Sequence, residues 1–378
     1  MKKCIINGKI VLHDGVVEQN LFIEDDKITE ISDRVPQDEE IIDAQGLYVS
    51  PGFIDVHTHG RGGSDTMYPT YEDLNTISKE ALKTGVTTFL PTTMTMPVDD
   101  IAKAVENVAQ NKDKVEGAQI LGVHLEGPFF NKKYKGAQPE ECMILPTVDN
   151  YLSFVKDHQD TIRKISIAPE LEHSVEFVQY LNDKNTVVSL GHTNATYEEA
   201  QAAIDAGATS TTHTYNAMTP LTHRAPGVVG ASMINDDVYA ELILDGIHVN
   251  FAAAKALLKA KGKDKLMLIT DSIEAAGLPD GTYKLGNQPV YVKGNEARLE
   301  NGALAGSVLN MNDAVRNAHL HLGLTINEAV NLASYNPACN LNETSIGEIK
   351  EGNYADIIFF DEDIRIKQTI IKGQVVEV

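Results

Sequence analysis

Two histidines in the pattern His-Thr-His are the first residues of the chain whose types and spacing suit metal binding. His57 and His59 follow the segment 53–56, Phe-Ile-Asp-Val. Side chains alternate between the two faces of a strand, so a strand here directs both imidazoles to one side. Imidazole is a frequent ligand of zinc and iron. The pair by itself is equally compatible with two loop histidines that hydrogen-bond to carboxylates.

Four later strand-like segments also end in a residue that can bind a metal. Imidazole nitrogens and carboxylate oxygens together suit a divalent cation. Each carboxylate also has an ordinary alternative role, as a helix cap or a surface group. His124 lies one step deeper than the end of its strand, so we expect it to be packed and hydrogen-bonded instead of binding a metal. The candidates are Glu126 after 120–125, His192 after 187–191, His213 after 208–212 and Asp271 after 266–270.

This set of side chains suits metal-assisted hydrolysis. A divalent metal lowers the pKa of a bound water from 15.7 to roughly 7 and polarises the carbonyl that the water attacks. Amide hydrolysis also needs an acid for the leaving nitrogen, and one carboxylate can accept the water proton and return it to the amine. Asp271 is the candidate for both steps, because a neighbouring cation keeps it ionised at neutral pH.

Eight short apolar segments alternate with helix-like stretches after Pro51, which predicts βα units and a parallel sheet. Thr196 and Glu199 form a capping-box pattern for a helix that ends near Gly207, and Thr325 begins a second such pattern. Eight parallel strands predict a (β/α)8 TIM-type barrel, whose chemistry lies in the loops after the carboxyl ends of the strands. The predicted strands lie near 53–57, 86–90, 119–125, 164–168, 187–190, 209–212, 240–244 and 266–270.

Both ends of the chain have β character with Gly-rich and Asp-rich turns. We therefore expect a small, discontinuous β-sandwich domain built from 1–50 and 345–378, and a catalytic barrel domain over 51–344. A chain of 378 residues has room for both, since a barrel of this type takes roughly 250 residues.

The formal net charge of −22 limits the possible partners. Such a field repels nucleic acid, and an anionic substrate requires a local group of cations. Arg224, in a loop bounded by Pro220 and Pro226, is a candidate for that role. The three cysteines lie far apart in sequence, and no apolar stretch reaches membrane-spanning length. We expect a cytoplasmic protein with reduced thiols and with no membrane or nucleic-acid partner.

The segment 51–60, together with the four strand-end candidates in barrel order, resembles the amidohydrolase superfamily over essentially the whole chain. Longer motifs at 124–129, 213–218 and 304–307 resemble those members that deacetylate N-acetylglucosamine 6-phosphate. These motifs read His-Leu-Glu-Gly-Pro-Phe, His-Thr-Tyr-Asn-Ala-Met and Leu-Ala-Gly-Ser. The resemblance implies a hydrolase that releases acetate and glucosamine 6-phosphate.

The resemblance also implies a role for each candidate ligand. Glu126, His192 and His213 are expected to hold the principal metal, with Asp271 as the acid/base. Relatives that lack the His-Thr-His pair use one metal, whereas relatives that keep it can hold a second ion, with the glutamate bridging and the aspartate completing the site. The expectation here is one or two divalent ions, zinc or iron first among them.

Substrate contacts implied by the resemblance come from several loops. Arg224 and His248 are expected to bind phosphate, and at least one of them reaches the site from the second subunit of a homodimer. Gln138 stands where some of these deacetylases have histidine, so it can hydrogen-bond the sugar but cannot carry imidazolium charge. The implied set is Ala137, Gln138, Asn216, Ala217, Arg224, His248, Leu304, Ala305 and Gly306.

Two other functions use the same residues. A cyclic-amide hydrolase of the dihydroorotase or dihydropyrimidinase type would share the histidine pair and the aspartate, but such enzymes commonly bridge two metals with a carboxylated lysine. No lysine stands at the end of the fourth strand, where Ala168, Pro169 and Glu170 lie. A phosphosugar-binding protein without catalytic activity is the second alternative, and metal content together with acetate release would distinguish it.

Overall fold

A computed structural model describes residues 1–376 and contains the eight predicted parallel strands. The buried side chains of these strands form the largest core cluster, together with the inner faces of the surrounding helices. The predicted TIM-type barrel is confirmed. The barrel strands are Phe53–Thr58, Val86–Pro91, Gln119–Ile120 continued by Val123–Glu126, Ile162–Ile167, Val187–Leu190, Ser210–Thr211, Tyr239–Ile243 and Leu266–Ile269.

Backbone hydrogen bonds at the carboxyl ends of the strands close the barrel. The amide of Asp271 donates to the carbonyl of His57 at 2.9 Å, and the amide of His59 donates to the carbonyl of Ser272 at 2.8 Å, which joins the eighth strand to the first. The amide of Thr93 donates to the carbonyl of His124 at 3.0 Å and joins the second strand to the third. Closure therefore brings residues far apart in sequence to one rim.

Helices surround the barrel, and both predicted capping boxes are present. The helix after Thr196 ends at Asp205, two residues before the predicted glycine. None of the helices in the described part of the chain is long and apolar enough to cross a membrane. The α-helices are Tyr71–Leu82, Val98–Asn111, Val148–Val155, Ser174–Asn182, Tyr197–Asp205, Gly227–Ile234, Phe251–Lys261, Met311–Asn317, Ile326–Asn331 and Tyr335–Asn340.

The N-terminal segment forms one sheet by itself, and strands from both ends of the chain form a second sheet. One sheet has four strands, in the order Lys27–Ser32, Asn20–Glu24, Lys2–Ile6 and Glu40–Asp43. The other has six, in the order Gln374–Val376, Ile366–Ile371, Ile357–Phe360, Tyr48–Pro51, Lys9–Leu12 and Gly15–Val17. A separate apolar cluster that includes Ile5, Val49 and Phe359 draws residues from both sheets. The last two residues of the predicted terminal segment, 377 and 378, lie outside the described residues.

A small antiparallel sheet follows the eighth barrel strand, and the sequence analysis did not predict it. Its strands are Gly281–Leu285, Gln288–Lys293 and Glu296–Arg298. Apolar side chains of this sheet pack with Met94 and Ile273 from the loops at the barrel rim. The side-chain amide of Gln288 donates to the carbonyl of Ala137 at 2.6 Å. The sheet therefore forms one wall above the carboxyl ends of the strands.

Candidate metal centre and active site

Six side chains from five barrel strands converge at this rim. Within each of two groups of three, the candidate ligand atoms all lie within 4.8 Å of one another, and all six residues are buried. The structure therefore brings together every residue that the sequence analysis proposed as a ligand. The groups are His57, His59 and Asp271, and Glu126, His192 and His213.

The carboxylate of Glu126 lies between the two groups. Its Oε1 is 3.1 Å from Nε2 of His192 and 3.1 Å from Nε2 of His213. Its Oε2 is 3.2 Å from Nε2 of His59. Oδ1 of Asp271 is 3.3 Å from the same His59 nitrogen. Oε1 also lies 3.5 Å from Nε2 of His57, so the carboxylate contacts both groups, as a bridging ligand would.

Each of the four imidazoles is oriented by a contact at Nδ1. An oxygen at this position stabilises the tautomer that carries hydrogen on Nδ1, so Nε2 presents its lone pair to the centre. The Nδ1 contacts are His57 to Oε2 of Glu241 at 3.2 Å, His59 to the carbonyl of Thr92 at 3.2 Å, His192 to the carbonyl of Tyr134 at 2.9 Å and His213 to the carbonyl of Asn216 at 3.1 Å.

The inward-facing nitrogens fit a divalent cation. Nε2 of His57 is buried and has no hydrogen-bond partner among the residues that the structure describes. Nε2 of His192 and Nε2 of His213 are only 3.1 Å apart, so two lone pairs would repel each other without a positive charge nearby. Nitrogen and carboxylate donors in this ratio are those that zinc and iron accept in proteins.

The electrostatics of the group also favour bound positive charge. Burial raises the pKa of Glu126, but His57 and His192 outweigh burial and hold this pKa well below its usual value. Burial lowers the pKa of His59, but hydrogen bonds to Asp271 and Glu126 outweigh it and raise this pKa to about 10. The carboxylates therefore stabilise positive charge at the centre of the group, which is the charge that a divalent cation would supply.

Three of the candidate ligands lie just past a strand end in a left-handed backbone conformation. The φ angles are 47° for His192, 31° for His213 and 49° for Asp271. This region is sparsely populated by residues other than glycine, and side chains held there cluster at functional sites. The strand ends are thus bent in a way that directs these side chains into the centre.

A cavity of about 330 Å³ opens directly above the candidate ligands. Its walls include seven of the nine residues expected to contact substrate, whereas Ala305 and Arg224 are not among them. Lys133, Tyr134 and Leu285 line it as well, and sequence analysis did not select them. The seven expected residues are Ala137, Gln138, Asn216, Ala217, His248, Leu304 and Gly306.

A family model described as the amidohydrolase family matches residues 48–376. The chain belongs to the amidohydrolase family. It is 38% identical over 374 residues to the N-acetylglucosamine-6-phosphate deacetylase of Lysinibacillus sphaericus, covering 98% of this chain and 97% of the relative. It is also 38% identical over 326 residues to the N-acetylgalactosamine-6-phosphate deacetylase of Escherichia coli O157:H7, covering 86% of each.

A solved structure of the same family has nearly the same fold. The crystal structure of N-acetylglucosamine-6-phosphate deacetylase from Pasteurella multocida superposes with a TM-score of 0.94 at 32% identity, and the match covers 100% of both chains. Amidohydrolases are metal-dependent hydrolases, and the two groups of candidate ligands agree with that property.

Two charged residues inside this amidohydrolase barrel were missed by sequence analysis. Glu241 and Lys164 lie within the seventh and fourth strands, are fully buried and form an ion pair. The lysine is therefore in the interior of its strand and already paired with Glu241, so it is not one of the candidate metal ligands. A carboxylate in the middle of the apolar segment 239–243 was the available sequence signal.

His124 has the surroundings expected from its depth in the third strand. Its Nε2 lies 2.8 Å from Oγ of Ser166, and Nδ1 lies 3.4 Å from Oγ1 of Thr92. Burial and the nearby His57 lower its pKa well below the usual value. A neutral, hydrogen-bonded imidazole supports the packing of His57, whose ring centre is 4.6 Å away.

The two residues expected to bind phosphate lie in different places in this amidohydrolase. His248 lines the cavity, and its Nδ1 lies 2.6 Å from Oδ2 of Asp245. Arg224 is exposed, in a turn closed by a 3.0 Å hydrogen bond from the amide of Thr222 to the carbonyl of Ala225. Within one chain, the structure does not bring Arg224 to the cavity.

Proposed function

We propose that this protein hydrolyses the acetamide of N-acetylglucosamine 6-phosphate to glucosamine 6-phosphate and acetate. The observation that carries the proposal is the set of six converging ligands, with Asp271 among them, at the base of a cavity of about 330 Å³. The names of relatives at 38% and 32% identity support the same reaction.

The proposed metal centre takes one or two divalent ions, zinc or iron first among them. Glu126, His192 and His213 would hold the first ion, and His57, His59 and Asp271 would hold a second. Bound ions would polarise the acetyl carbonyl and increase the acidity of the attacking water.

Asp271 moves the proton in this proposal. It accepts a proton from the attacking water and returns it to the nitrogen that leaves as the free amine, so one carboxylate serves both halves of the reaction. Its position supports this role, because Asp271 lines the cavity. The residue is 8% exposed, which is more than any of the other five candidate ligands. The carboxylate therefore faces both the ligands and the substrate.

Several groups on the cavity wall would hold the sugar phosphate. A protein of net charge −22 needs local donors for an anion. His248 and Lys133 supply two from the same chain, since both line the cavity. Arg224 is proposed to reach the site from the second subunit of a homodimer, where a guanidinium can bind two phosphate oxygens.

The proposal also covers the domain organisation and the cellular location of the protein. Residues 51–344 form the catalytic domain, and 1–50 with 345–378 form the smaller domain. The three cysteines are free thiols, which suit the reducing conditions of the cytoplasm. We therefore propose a cytoplasmic enzyme.

A direct assay tests the function. The purified protein, analysed for metal, is mixed with N-acetylglucosamine 6-phosphate, and acetate and free amine are measured. Equimolar release of both is expected, with loss of activity after chelation and recovery after zinc or iron is added back. Binding of the phosphosugar without acetate release would indicate a binding protein, and turnover of a cyclic amide alone would indicate the other hydrolase class.

N-Acetylgalactosamine 6-phosphate is the second candidate substrate, because a relative at 38% identity is named for it. The two sugars differ only in the configuration at C4, which is remote from the acetamide. Parallel measurements of kcat/KM on both sugars decide between them. A higher value on the galactose epimer would reassign the substrate and leave the metal chemistry unchanged.

A further inference from the structure

We propose that Glu241 is a positioning residue that connects the two groups of metal ligands, and that Lys164 holds it in place. The inference rests on the proposed metal centre. The juxtaposition that carries it is one buried carboxylate in contact with His213, a candidate ligand of the first ion, and with His57, a candidate ligand of the second.

The contact with His57 is through its side chain. Oε2 of Glu241 lies 3.2 Å from Nδ1 of His57, and both side chains are fully buried. The carboxylate accepts the Nδ1 hydrogen, so the Nε2 lone pair is directed at the ligand cluster. Nε2 has no hydrogen-bond partner among the described residues. The glutamate therefore determines both the tautomer and the ring orientation of this histidine.

The contact with His213 is through its backbone. The amide of His213 donates to Oε2 of Glu241 at 3.0 Å. This residue has a φ angle of 31°, outside the usual range for a side-chain-bearing residue. A hydrogen bond from its amide to a buried carboxylate helps to hold the bent strand end. The same oxygen thus orients one ligand directly and another through its main chain.

Lys164 supplies the charge that allows a carboxylate in the barrel interior. Nζ of Lys164 is hydrogen-bonded to Oε1 of Glu241, and it also lies 3.5 Å from Oγ of Ser210. An unpaired buried carboxylate is costly, whereas replacing both members of a buried ion pair with apolar residues is often tolerated. The two oxygens of the glutamate therefore have separate tasks: one pairs with lysine and the other orients the ligands.

Paired substitutions separate positioning from simple stability. Glu241→Leu with Lys164→Met removes the acceptor and both charges together. Glu241→Gln with Lys164→Met keeps an acceptor oxygen and removes only the charge. Ser78→Ala is the control for loss of a buried hydroxyl, because the Ser78 hydroxyl hydrogen-bonds to the backbone of Gly117 and Ala118, away from the candidate ligands. Thermal stability, metal content per chain and metal affinity by competition with a chelator are measured for each variant.

Loss of a residue that orients a ligand typically lowers metal affinity by about 10–100-fold. We expect the affinity of the more weakly held ion to fall by about 100-fold in the Leu/Met variant and by about tenfold in the Gln/Met variant. The Ser78→Ala control should bind metal like the wild type. Wild-type affinity in a folded Leu/Met variant would overturn the proposal.

The Gln/Met variant decides the question if the Leu/Met variant does not fold. Weaker metal binding at unchanged thermal stability would then support positioning by the carboxylate, and wild-type affinity would overturn it. A wild-type chain that binds no metal would give a different result. It would contradict the proposed metal centre and, with it, this inference.

Discussion

The side-chain amide of Gln138 donates a hydrogen bond of 2.9 Å to Oε2 of Glu126. The other end of the same side chain accepts a hydrogen bond of 2.7 Å from the amide of Thr95. Hydrogen bonds therefore hold both the nitrogen and the oxygen of the Gln138 amide group. The nitrogen contacts the glutamate oxygen that is nearer to His59. A glutamine at this position can restrain the rotation of the bridging carboxylate.

Replacing Gln138 with alanine should weaken metal binding. The carboxylate of Glu126 loses a donor on one oxygen, and loss of such a partner typically costs about 10–100-fold in metal affinity or activity. Chelator competition on purified variants measures the change. Gln119→Ala is the control, because Gln119 hydrogen-bonds to Asp356, which is not one of the candidate ligands. Equal metal affinity in wild type and Gln138→Ala would show that the hydrogen bond is incidental.

Replacing His192 with alanine should lower bound metal and abolish activity, and a His192→Ala/His213→Ala double variant should do the same. Each imidazole presents Nε2 to the same oxygen of Glu126, so its removal would leave the proposed first ion with fewer ligands. His173→Ala is a suitable control because this side chain is 50% exposed and lies outside the site. Metal analysis and an acetate assay provide the test, and unchanged metal with full activity in the double variant would refute the assignment.

Asp271→Asn should keep the fold and substrate binding while lowering kcat by roughly two or more orders of magnitude. An amide cannot accept the water proton and return it to the leaving amine. Some loss of metal is expected as well, since Oδ1 of Asp271 lies 3.5 Å from Nε2 of His57, beside which the second ion is proposed to bind. Turnover is therefore compared at full metal occupancy. Near-normal kcat under those conditions would remove Asp271 from proton transfer.

Replacing Thr196 with alanine should reduce the free energy of unfolding by about 1 kcal/mol, as loss of an N-cap typically does. Thr196 Oγ1 accepts from the amide of Glu199 at 3.2 Å, and Oε2 of Glu199 accepts from the amide of Thr196 at 2.8 Å. Urea unfolding monitored by circular dichroism measures the loss. Thr76→Ala, inside another helix, removes no cap and should be neutral or slightly stabilising. Equal stability of wild type and Thr196→Ala would show that the box contributes little.

Residue patterns along the chain predict the barrel and the ligand cluster for one physical reason. Parallel strands place all their carboxyl ends on one rim, so a polar residue after each apolar segment must face the same centre. This rule does not predict the role of Glu241, because Glu241 lies inside a strand and not at its end. Its buried charge is stabilised by its partners Lys164 and His57. Those partners come from other strands, and no local pattern connects them.

The placement of the inserted sheet and of Arg224 could not be predicted either. The segment 281–298 does carry hairpin signals, since Gly286-Asn287 and Gly294-Asn295 separate its strands, but its apolar side chains find their partners in distant loops at the rim. The loop of Arg224 contains stiff proline positions, but its direction depends on the packing of the helix Gly227–Ile234 that follows. Local sequence indicates a turn there without indicating which surface the turn approaches.

Arg224 and His248 together should determine the preference for a phosphorylated sugar. Arg224→Ala is expected to lower kcat/KM strongly for the 6-phosphate and to change hydrolysis of unphosphorylated N-acetylglucosamine little, because only the phosphate loses a charge-assisted contact. His248→Ala should act in the same direction. Lys265→Ala removes a cation that is not among the residues lining the cavity and serves as the charge-matched control. A parallel loss on both sugars would indicate damage to the metal centre instead.

Subunit mixing tests whether Arg224 acts in a neighbouring active site. Arg224 is exposed and does not line the cavity of its own chain. If Arg224 contacts the phosphate, it therefore has to enter the active site of a second subunit. Inactive Asp271→Asn subunits are mixed with inactive Arg224→Ala subunits and allowed to exchange. A hybrid dimer contains one site with an intact Asp271 and an Arg224 donated by the other subunit, so part of the activity should return. Exchange is followed independently by mass spectrometry of differently tagged chains. Confirmed hybrids without activity would disprove the donation between subunits, because every component of the composite site would then be present and the site would still fail.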